Sequence, residues 1–90
     1  MRFLARPALR DSLLGLLDTD RKRAAYEASD GASTSREVGA AAGVSHVTIQ
    51  RWWEEWLRAG VIRAGKVAGR GARIVSLNEV GVPMTVAEIG

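Results

Sequence analysis

The stretch that most constrains this chain is TSREVGAAAGVSHVT, residues 34–48. Thr34 and Glu37 have the spacing of a capping box, in which the threonine hydroxyl accepts from the Glu37 amide while the glutamate reaches back to the Thr34 amide. That start predicts a helix continuing to Ala42. Gly43 breaks it, Val44 is apolar, and Ser45 is placed to cap a second helix running to about Ala59, with Gly60 as its stop. Two helices are thereby forced to cross over a very short turn.

The apolar residues sit where such a crossing needs them. Val38 and Ala42 precede the turn, Val44 lies in it, and Ile49, Trp53 and Trp56 follow it, while Gly39 is small enough for close helix approach. At about 100° per residue, Ile49, Trp52, Trp53, Trp56 and Leu57 share one face of the second helix, and Val47, Gln50, Arg51, Glu54 and Arg58 share the other. All three tryptophans of the chain fall in this helix. Their positions make Trp53 and Trp56 core, with Trp52 at the edge of the apolar face, partly exposed against the N-terminal helix or a second subunit. Glu54 and Arg58 are spaced as a pair on the solvent side.

Outside this unit the signals are local. Pro7 suits the first turn of a helix, and Leu9, Leu13, Leu16 and Leu17 recur at helical spacing, which predicts a helix over 7–17. Asp18, Thr19 and Asp20 are cap candidates for another helix over 19–31 ending at Gly31. One long helix with a polar middle fits the same residues, and the sequence does not separate the two readings. Beyond Gly60, VIRAGK and ARIVSLN are short β-type runs joined by the glycine-rich VAGRG, which predicts a hairpin over 61–77. The tail, 78–90, is compatible with a short strand or a short helix packed on the body.

Ninety residues allow one small domain with a single core. The chain has no cysteine, which excludes disulfides and thiolate metal sites and fits a reducing cytoplasm. No apolar run reaches the roughly 20 residues that span a bilayer. The Arg-rich, amphipathic start looks like a targeting segment, but Asp11 and Asp18 oppose that reading and its leucines are needed for the core. Charge is distributed unevenly: residues 61–75 carry Arg63, Lys66, Arg70 and Arg73 with no acid, as an anion-facing surface does. With one histidine, no cysteine and no phosphate-cradling loop, the chain is not expected to be an enzyme or to hold a cofactor or metal.

TSREVGAAAGVSHVTIQRWWEEWLRAGVI followed by a basic hairpin resembles the winged helix-turn-helix DNA-binding domain of prokaryotic transcription regulators, over roughly residues 19–77. The resemblance rests on TSREV, AGVSHVTI and LRAGVI at the family's usual separations. Gly39 departs from it, since the family usually has alanine there; glycine keeps the crossing close at about 0.5–1 kcal/mol of helix stability. The resemblance implies a mainly α fold with a small β-hairpin: a three-helix core plus wing, here with an extra N-terminal helix. It also implies that the helix over 45–59 lies in the major groove of double-stranded DNA. Gln50 then suits adenine and Arg51 suits guanine or a phosphate, while Val47 faces a thymine methyl. His46 serves as a phosphate or base donor. Ser45, Thr48, Ser35 and Arg36 would meet the backbone. Arg63, Lys66, Arg70 and Arg73 would form the basic wing, with Arg70 at its tip positioned for a minor groove. The expected role is a small, cytoplasmic, sequence-specific regulator, homodimeric through residues 7–17 or the tail. Alternatives are a winged protein-interaction module or a replication or partition factor.

Overall fold

The computed structural model describes residues 6–67 and 69–84, with side chains from residue 8 onward. The parts of the expected N-terminal extension, wing turn and tail at 1–5, 68 and 85–90 lie outside the described residues. Four helices are followed by an antiparallel hairpin: α1 (Arg6–Leu16), α2 (Asp20–Ala28), α3 (Ser35–Ala42), α4 (His46–Ala59), β1 (Ile62–Ala64) and β2 (Gly71–Arg73). A 3₁₀ turn, Leu77–Val80, closes the described part.

The region before Gly31 is two helices. The chain leaves α1 after Leu16, and Thr19 caps α2 by accepting from the Lys22 amide at 3.2 Å. Arg23 fixes this junction from within the core. Its Nε donates to the Leu17 carbonyl at 2.8 Å and its Nη1 to the Pro83 carbonyl at 3.0 Å, so one buried guanidinium satisfies the end of α1 and staples the tail.

Helix α2 stops at Ala28, short of the expected boundary at Gly31. Ser29 ends it by turning its hydroxyl back onto the Ala25 carbonyl at 2.7 Å, an alternative to helical continuation that serine offers. The freed backbone joins the hairpin instead. The Arg73 amide donates to Ser29 (2.8 Å), the Gly31 amide donates to Gly71 (3.0 Å), and Asp30 forms a bridge with Ala72.

Both helix ends of the central crossing are built as the sequence predicts. Thr34 and Glu37 make the reciprocal box at 3.1 and 2.8 Å, and Ser45 accepts from the Thr48 amide at 3.2 Å. Gly43 takes the left-handed conformation, φ 74°, and the Val44 amide closes the end of α3 onto the Gly39 carbonyl at 2.9 Å. Gly39 is tighter than a merely small residue requires: a Cβ there would stand 2.6 Å from the Val44 carbonyl oxygen.

Leu9, Leu13 and Leu17 of the N-terminal segment are buried in the same core as Tyr26, Val38, Ile49, Trp53 and Trp56. Full burial of each such side chain contributes about 1.5–3 kcal/mol. Leu77, Val80 and Val82 close this core from the C-terminal side. Leu9, Leu13 and Leu17 thus pack inside the chain itself, with Leu14 and Leu16 partly buried against them. Glu27 ties the closing segment down, accepting from the Leu77 amide and from Ser76 Oγ (3.1 Å) and pairing with Arg73 at 3.7 Å.

Candidate nucleic-acid interface

Helix α4 divides its side chains as the periodicity predicts, with one exception. Ile49, Trp53 and Trp56 are buried. Trp52 is half-buried, stacked on Trp56 at 5.9 Å between ring centroids, with the Lys22 ammonium over its face at 5.9 Å. One of its neighbours is thus Lys22 of α2 in the same chain. The exception is Leu57, which the wheel put on the apolar face and which is 46% exposed. It sits at the edge of that face, and the core beneath is closed by the hairpin packing on Trp53. A Cβ at Gly71 would stand 3.0 Å from the Trp53 ring and 2.9 Å from Ile62 Cδ1, which leaves no depth for another side chain.

The outward face begins at the first turn. Val47, Gln50 and Arg51 are exposed, while His46 and Thr48 are half-buried. The hydroxyls of Ser45 and Thr48 lie 3.0 Å apart and serve the cap, so each retains only part of its bonding capacity for an outside partner. Farther along, Glu54 lies 4.0 Å from Arg58, both mostly exposed, a pair worth little to stability, and the exposed Glu55 beside it leaves this end of the helix with a net negative charge.

Between α4 and the hairpin runs a groove of about 350 Å³, lined by Gln50, Glu54 and Leu57 on the helix and by Ala64, Gly69 and Arg70 on the hairpin. It brings the exposed polar row of α4 against the hairpin. Sequence reasoning missed Leu57, Ala64 and Gly69 as groove residues, because the angle at which the hairpin folds onto α4 sets them together. The small residues of the hairpin were the available signal.

The four hairpin cations do not act alike. Arg63 and Lys66 are exposed. Arg73 is half-buried against Glu27. Arg70 is turned back on its own chain, its Nη1 donating to the Ala32 carbonyl in the loop before α3. At the start of α3, Arg36 is exposed and Ser35 half-buried. The same loop holds Asp30, whose carboxylate accepts from the Ser33 amide (2.7 Å), the Ala32 amide (2.9 Å) and Ser33 Oγ (3.1 Å). These bonds lower its pKa to about 2. The Thr34 amide likewise lowers that of Glu37, with the Arg70 charge adding to the effect.

Taken together, Gln50 and Arg51 offer donors and acceptors in a row, Val47 offers a methyl contact, and Arg36, Arg63 and Lys66 supply exposed positive charge. Such a set can bond the polar edges of a ligand while neutralising an extended anion. Comparison with protein-family models, with curated proteins and with solved structures gives no match for this chain.

Proposed function

We propose that this chain is a winged helix-turn-helix domain that binds double-stranded DNA sequence-specifically, as a small transcription regulator. The observation that carries this reading is the placement of the hairpin beside the exposed polar row of α4, across the groove lined by Gln50 and Arg70. A helix presenting Val47, Gln50 and Arg51 in its first two turns suits the major groove, which is wide enough for a helix and displays a distinct bonding pattern for each base pair. Gln50 is assigned to an adenine edge, Val47 to a thymine methyl, and Arg51 to guanine or a phosphate. Arg36, Arg63 and Lys66 are assigned to phosphates, with Ser35 and His46 as secondary donors.

The test is a titration of duplex DNA at rising salt. Four exposed cations at most face phosphate, so the slope of log affinity against log salt is expected to be roughly −3 to −4, at ~0.9 per phosphate. Absence of binding to any duplex at low salt would overturn the proposal. Arg51→Ala then separates the two roles of that side chain. Loss of about 1–3 kcal/mol confined to particular sequences marks base readout, and uniform weakening with a shallower slope marks a phosphate contact.

A further inference from the structure

The tip of the hairpin carries Arg70, next to the groove beside α4. In both backbone and side chain this residue is committed to its own fold. Its carbonyl accepts from the Gly65 amide at 2.6 Å and its amide donates to the Val67 carbonyl at 3.2 Å, which closes the turn. Its guanidinium crosses to the loop before α3 and donates to the Ala32 carbonyl. The orientation of that carbonyl is fixed, because Asp30 holds the Ala32 and Ser33 amides on either side of it. Glu37 lies near enough for the Arg70 charge to help hold its carboxyl below the usual range, so the guanidinium has an acid in its vicinity as well as its carbonyl partner.

The backbone beneath is equally close. The Val67 amide donates to the Gly31 carbonyl at 3.3 Å, and Gly65 lies so near that a Cβ on it would stand 2.5 Å from the same oxygen. Hairpin and loop therefore meet closely through their backbones, and among the described residues the Arg70 guanidinium adds a side-chain hydrogen bond across them.

We propose that Arg70 is a positioning residue that fixes the hairpin tip against the α2–α3 loop and does not enter a minor groove. The inference rests on the DNA-binding reading and sharpens it. Recognition by this domain comes from the major groove and from phosphates. The width of the flanking minor groove, which an inserted arginine senses, is then not read by Arg70.

Three variants of the full chain test this: Arg70→Ala, Arg70→Lys and Lys66→Ala. Without DNA, Arg70→Ala is expected to speed amide hydrogen exchange at Gly65 and Val67 about tenfold or more, as the tip opens locally. Arg70→Lys, which keeps a donor, restores most of the protection. With DNA, Arg70→Ala weakens binding several-fold at every salt concentration and leaves the salt slope unchanged, whereas Lys66→Ala lowers the slope by ~0.9. Wild type binds equally to one site flanked by A-tracts or by G·C-rich DNA. Unchanged exchange in Arg70→Ala overturns the strap. So does a slope lowered by one unit, or an A-tract preference that Arg70→Ala abolishes. Failure of the wild type to bind any duplex removes the DNA reading, while the exchange experiment still decides the role of Arg70.

Discussion

Replacing Gly39 by alanine sets two well-characterised effects against each other. Alanine is favoured over glycine inside a helix by about 0.5–1 kcal/mol, and the winged helix-turn-helix resemblance itself carries alanine at this position. In this structure the added Cβ would stand 2.6 Å from the Val44 oxygen, 3.3 Å from the Ser45 carbonyl carbon and 3.4 Å from its oxygen. All three are backbone atoms, so no side-chain rotation relieves the contact. The turn that carries them is held by Gly43 in the left-handed region and by the Val44 amide bonded to Gly39 itself. Relief requires that α3 and α4 separate or that this bond lengthen.

Overpacking of this kind costs about 1–3 kcal/mol, and a weakened hydrogen bond adds about 0.5–1.5 kcal/mol. Set against the propensity gain, Gly39→Ala is expected to destabilise by about 0.5–4 kcal/mol, centred near about 2 kcal/mol. For a domain of this size a loss of about 2 kcal/mol lowers Tm by about 8–16 °C. Thermal and urea unfolding followed by tryptophan fluorescence will read it, since Trp53 and Trp56 are buried in the core that the crossing closes. A Tm equal to or above that of the wild type would refute the reasoning: the crossing would then relax for less than the propensity gain, and the close approach would not be what selects glycine.

Two further outcomes follow from buried and charged hydrogen bonds. The indole N–H of Trp53 donates to Ser29 Oγ at 2.9 Å. Trp53→Phe is therefore expected to cost about 1–3 kcal/mol, with Ser29→Ala in the same chain giving a coupling of about 0.5–1.5 kcal/mol in a double-mutant cycle read by urea unfolding; strict additivity would contradict the bond. Asp30 has its pKa lowered to about 2 from an ordinary 3.8, so the stability it contributes is present above pH 3.8 and is lost as pH falls through about 2. Asp30→Asn should lower Tm at neutral pH and flatten the Tm–pH profile within that window, and an unaltered profile would show that these bonds do not bear on stability.

The boundaries of α3 and α4 were legible because they are local. A capping box, a serine cap and glycines that take positive φ each act over a few residues, and Thr34, Ser45, Gly43 and Gly60 sit in the structure as their spacing predicts. The division of α4 into faces was legible for the same reason. The sequence left open whether 7–29 is one helix or two, and Arg23, with its bond to the Leu17 carbonyl, holds the junction as two. What the sequence could not convey was where distant segments meet. That Gly31 belongs beside Gly65, that Arg70 reaches Ala32 and that Arg73 reaches Glu27 all depend on how the hairpin folds back over α2 and α3. A run of four cations without an acid looks uniform along the chain; in space, only Arg63 and Lys66 of the four are exposed.

The three tryptophans show why the contact face of α4 cannot be treated apart from its buried face. Adjacent aromatic side chains between charged residues invite a reading as a stacking surface for bases. In the structure Trp56 meets Tyr26 edge-on at 5.7 Å, with the Tyr26 hydroxyl donating to Val61 at 2.8 Å, so this contact sets where the chain leaves α4. Trp53 is held by Ser29 on one side and by Gly71 of β2 on the other. One side chain therefore fixes both the rotation of α4 about its axis and the distance of the hairpin from it. Those two quantities determine whether Gln50 and Arg51 face the same side as Lys66. In the proposed DNA-binding reading, the buried tryptophans act through this geometry, from behind the exposed face of α4.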